Sequence, residues 1–90
     1  MGEEFDYWQM AQEAEDEVER VWTALAVRKQ SVAVGAAEAL KKQNDIRHLE
    51  IILMEQRCNV RTFLRRAVQR RQVSDRDLLL FAARIRRGRP

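Results

Sequence analysis

Apolar residues recur along this chain at alternating three- and four-residue steps, over two long stretches and one short one. In the second stretch they are Ile46, Leu49, Leu53, Val60, Phe63 and Ala67, with Gln56 the one polar member of the row. That spacing lines one face of a helix. The opposite face is mostly charged, and from Arg57 onward its charges are all positive. In the first stretch the same stepping runs through Ala11, Ala14, Val18, Val21, Leu25, Val32 and Ala39, with Arg28 and Gly35 interrupting it. Residues 3–43 hold no proline and only that glycine, so the pattern predicts one helix about 60 Å long. Its weak point is Ser31-Val32-Ala33-Val34-Gly35-Ala36-Ala37, read as a seam of small residues for another helix or, second, as a hinge.

Gln43-Asn44-Asp45 is the only clear break before residue 72. Asp45 suits the N-cap of a helix over 46–72. A tight turn there makes an antiparallel hairpin. Arg70 and Arg71 would then lie opposite Val18 and Glu17, and Arg65 and Arg66 beside Trp22 and Thr23. Helix three is predicted over 75–87. Ser74 is its N-cap, Asp77 a short-armed capping-box partner, and Val73 with Leu78 a hydrophobic staple. Gly88 stands where a left-handed stop belongs. Leu78 through Ala83 and Ile85 coat most of its circumference, more apolar surface than one hairpin face can bury. The expected fold is all-α: a long antiparallel helical hairpin with a short third helix, completed by oligomerisation. Arg28, Gly35 and Gln56 break the heptads enough to argue against a long regular coiled coil.

Ninety residues fit a single domain, and one of this size is marginal as a compact monomer. The longest apolar run, Leu78–Ala83, is six residues, which excludes a membrane span. The acidic start argues against a secretory leader and against a membrane-surface helix. The single cysteine, Cys58, has no internal disulfide partner, so a cytoplasmic setting is expected.

The net charge of +3 hides a gradient: residues 1–20 hold eight acids and one base, whereas residues 57–90 hold eleven arginines and two aspartates. Acids at a helix start and bases at a helix end also suit the helix dipole.

Chemistry is sparse. His48 is the only histidine, too few for the paired Glu-x-x-His of a carboxylate-bridged metal bundle and too far along its helix from Cys58 for a nucleophile–base pair. No cofactor, metal or small-molecule substrate is implied, and no catalytic set emerges; a small all-helical enzyme is the third reading. The first is a non-enzymatic adaptor or assembly subunit, contacting a second copy or a helical partner through Trp8, Leu79, Leu80, Phe81 and Ala83. The second is nucleic-acid binding through Arg84, Arg86, Arg87 and Arg89, expected to lie beyond reach of the acidic segment.

Overall fold

The computed structural model describes residues 4–87. They form three helices, α1 (Tyr7–Gln30), α2 (Ala36–Gln69) and α3 (Asp75–Arg87), with no strand among them. The first two pack along their length as the expected hairpin. Its turn, however, lies at residues 31–35 and not at Asn44-Asp45, so helices expected over 3–43 and 46–72 are 7–30 and 36–69.

Two local features shape the break. Gly35 adopts φ 89° and ψ 164°, a region that only glycine enters readily. Ser31 is extended, and its hydroxyl donates to the Arg28 carbonyl while its N–H closes the last turn of α1. Glu38, in the first turn of α2, accepts the Val34 N–H. Asp45 is not a cap at all. Its carboxylate accepts from Arg28, Nε at 3.1 Å and a terminal nitrogen at 2.9 Å, so Asn44 and Asp45 remain helical. Gly35 therefore lies not within a continuous helix but at the N-cap of α2, four residues beyond the Ser31 cap of α1.

Moving the turn shifts the register. Arg28 meets Asp45, Ser31 meets Lys42, and Tyr7 meets Arg66. Carried along two antiparallel helices, these pairs place Ala14 opposite Val60, Val21 opposite Leu53 and Leu25 opposite Leu49. Five of the six belong to the buried core with Ala11, Val18 and Phe81, and Leu49 packs partly buried against it. The seam therefore follows the strict four–three spacing of Tyr7, Ala11, Ala14, Val18, Val21 and Leu25. Arg66 stacks over Tyr7, not near Trp22, and the cation over Trp22 is Arg57, 5.2 Å from the ring centroid.

α2 ends in a Schellman motif: the Gln72 N–H bonds the Ala67 carbonyl and the Arg71 N–H that of Val68. Arg71 takes the left-handed conformation (φ 56°) usually left to glycine. The chain then enters α3 as expected, with the Ser74 hydroxyl accepting the Asp77 N–H at 3.1 Å. Phe81 reaches the core and meets Trp8 edge-on at 5.1 Å. α3 runs alongside the first half of α1, from Trp8 up to Glu19. Beyond about Trp22 the hairpin continues as a bare two-helix arm. The body spans 57 × 31 × 12 Å with a radius of gyration of 16.7 Å. A compact chain of this length would have about 12 Å.

Candidate functional site

The residues expected to contact a partner divide between two surfaces. Phe81 is 5% exposed and belongs to the core, and Trp8 is half-buried against it. Together they attach α3 to the hairpin, which leaves Phe81 little surface to offer a partner and Trp8 only part of its ring. The reason is helical spacing: Phe81, Leu78 and Ile85 share the inward face of α3, whereas Leu79 and Ala83 lie on the outward one, with Leu80 beside them. Leu79 and Leu80 are accordingly 69% and 57% exposed. The outer face of α3 is thus a short apolar ridge flanked by Arg76, Arg86 and Arg87, all three exposed.

Arg84 was expected to be free of internal acids and is not. Its guanidinium forks onto the Glu19 carboxylate, Nε to Oε1 at 2.9 Å and Nη2 to Oε2 at 3.0 Å, and also bonds Asp16. The hydrogen bond to Glu19 is the largest cause holding its pKa above the ordinary arginine value; partial burial opposes it, and Asp16 adds to it. A raised basic pKa means the pairing contributes fully below the ordinary arginine range and is lost only as pH climbs through the raised value. The expected separation failed because the register moved, so that α3 lies back along the acidic half of α1. Arg86 and Arg87 remain exposed, and Arg89 lies outside the described residues.

Sequence reasoning missed a junction where α1 begins. Gln72, in the α2–α3 link, accepts the Tyr7 N–H at 2.7 Å and the Trp8 N–H at 3.4 Å through Oε1, and donates to the Phe5 carbonyl at 2.7 Å through Nε2. Asp6 caps the same helix by accepting the Gln9 N–H. Two orphan donors of α1 are therefore satisfied by a side chain more than sixty positions away in sequence, a pairing no local pattern announces. Glu15, buried in α1, was likewise not singled out.

The third surface is the tip of the arm. Val27, Val32, Val34 and Leu40 are 64%, 86%, 76% and 59% exposed. One open groove there is lined by Val32, Ala33, Ala36, Ala39, Leu40 and Ile46, and another, between the two helices, by Ala24, Val27 and Leu49 with His48 and Asp45. A signal was present in the sequence: valines at 32 and 34 beside a glycine suit a turn better than a helix interior.

Among the described residues no three His, Cys, Asp or Glu side chains converge as a metal site, and no helix is long and apolar enough to cross a membrane. Cys58 is exposed on α2. No protein-family model, curated protein or solved structure matches this chain.

Proposed function

We propose that this chain is a non-enzymatic helical assembly subunit that docks onto a second copy or another helical protein through the outer face of α3. The observation that carries the reading is the pair Leu79 and Leu80, both more than half exposed on a helix whose inward face is already satisfied. Ala83 extends the same ridge. The shape supports it. The surface is 6994 Å², against about 5,500 Å² for a compact protein of 10.6 kDa. The excess approaches twice the roughly 800 Å² that each partner contributes to a standard interface.

The test is the solution mass of the unaltered chain and of Leu79→Asp/Leu80→Asp. These side chains sit outside the core, so the variant should keep its helicity. The unaltered chain should sediment as more than 10.6 kDa and the variant as a monomer. An unchanged mass in the folded variant counts against the reading. A monomer at high micromolar concentration confines the ridge to a foreign helical partner.

One observation favours a second reading, phosphate binding on nucleic acid. Arg61, Arg65, Arg71, Arg76, Arg86 and Arg87 are exposed and have no ion-pair partner among the described residues. Arg86 and Arg87 are its first residues, now without Arg84. Replacing both should weaken binding of a duplex oligonucleotide at about 50 mM salt and flatten its salt dependence. No binding at that salt removes this reading.

A further inference from the structure

The arm's tip combines four features. It is the far end of the longest dimension, away from α3. Val32 and Val34, alternating with the more sheltered Ala33 along an extended segment, project outward with 86% and 76% of their surface exposed. Four cations, Arg28, Lys29, Lys41 and Lys42, outnumber the two nearby acids: Asp45, which Arg28 pairs, and Glu38, which is exposed and accepts the Val34 N–H. Several backbone groups of the turn are satisfied from within. The Ser31 carbonyl accepts from Lys42 Nζ, the Ser31 N–H bonds Val27 and Arg28, and the Gly35 carbonyl accepts from Ala39. These bonds lower the cost of leaving water at the two ends of the turn, Ser31 and Gly35.

An apolar point with an excess of basic side chains near it suits an occupant that is apolar within and anionic at its surface. A second copy is a poor fit, because two tips would bring Lys29, Lys41 and Lys42 against their own kind. A helical peptide would lie in the two open grooves beside the turn, whereas the most exposed side chains, Val32 and Val34, sit on the convex turn itself. We propose that the 31–35 turn docks on an anionic lipid bilayer, with Val32 and Val34 entering the headgroup layer and Lys29 and Lys41 meeting lipid phosphates. This is contact at the interface and not a span, and it involves neither the acidic start of α1 nor the ridge of α3. Long lysine stems lie along the apolar boundary while their ammonium groups stay among the phosphates.

The experiment is co-sedimentation of the full chain with phosphatidylcholine vesicles, with and without about 30 mol % phosphatidylserine, at low and high salt. Binding is expected only with the anionic lipid and should weaken as salt rises. Val32→Ser/Val34→Ser leaves the charge unchanged and touches no core residue, so its circular dichroism should match the unaltered chain. It should lower the partition coefficient about five- to tenfold. Lys29→Gln and Lys41→Gln should each lower it about fivefold. Leu79→Asp/Leu80→Asp should retain the binding, which separates this inference from the assembly reading. No sedimentation with anionic vesicles overturns the proposal. So does binding that the double serine variant leaves intact, since the arginines of α2 and α3 would then carry it. Capture of a glutamate-rich amphipathic peptide at the tip, without vesicle binding, would likewise overturn it in favour of a protein partner.

Discussion

At one end of the hairpin, Phe81, Gln72 and Arg84 tie three chain segments together; at the other, two helices meet through their seam, the Arg28–Asp45 pair and the Lys42–Ser31 hydrogen bond. Both ends use the same four–three apolar spacing. They differ in what is added to it. Where α3 lies alongside, a core aromatic, a side-chain amide and a forked ion pair all join residues far apart in sequence. In the bare arm nothing covers the flanks, and Val27, Val32, Val34 and Leu40 stay in water. A two-helix hairpin buries one stripe of each helix and leaves the remainder wet, so a third helix decides where a complete core forms. The clad end is thus the stable base and the arm the part with exposed apolar surface left to offer.

The largest expected effect breaks the clad end. Phe81→Ala removes the one fully buried residue of α3 and should cost about 3–5 kcal/mol, read as a drop in the urea midpoint. If the midpoint moves by less than about 1 kcal/mol, α3 is not docked as described. Next comes the arm. Gly35→Ala meets no neighbouring atom within 4 Å but must adopt the glycine-only backbone region. It should lose about 1–3 kcal/mol, with faster amide exchange confined to the arm. Uniform acceleration over all three helices would show that the two ends unfold as one.

Gln72→Ala strips the start of α1 of its distant acceptor and should cost about 1–2 kcal/mol, with exchange at Tyr7 and Trp8 rising first. The smallest effect has the opposite sign. Arg71→Gly relieves a left-handed non-glycine residue at the end of α2 and should stabilise the chain by about 1 kcal/mol. A destabilised Arg71→Gly variant would mean that the side chain contributes more than its backbone strain costs.

Leu80 and Phe81, adjacent in sequence, mark how far the interaction surfaces were legible. Both stand out as apolar residues on a strongly apolar helix. Which one points outward depends on where α3 sits relative to Trp8, and adjacent helical positions are separated by about 100°. Arg84 teaches the same at longer range: its isolation from the acidic segment followed from a hairpin register, and that register depended on the turn.

Local chemistry in the sequence determined the all-helical class, the apolar stripes of α1 and α2, and α3 with its Ser74 cap and its span over 75–87. Each of these rests on contacts within a few residues, where periodicity and side-chain capping are decisive. Tertiary structure decided that the weak point around Gly35, and not Asn44-Asp45, became the turn. Gly35 with its valines and Asn44 with Asp45 are local signals of similar size, on the order of 1 kcal/mol each. A turn at Asn44-Asp45 would set Arg28 opposite Val60 and Val18 opposite Arg70, placing charges within the seam. The turn at 31–35 moves Arg28 to the seam's open end, where Asp45 receives it, and aligns apolar with apolar through the middle. Desolvating an unpaired guanidinium costs several times the difference between two turn propensities, so packing fixed the register. The Gln72 junction, the fork from Arg84 to Glu19 and the exposed tip all follow from that choice.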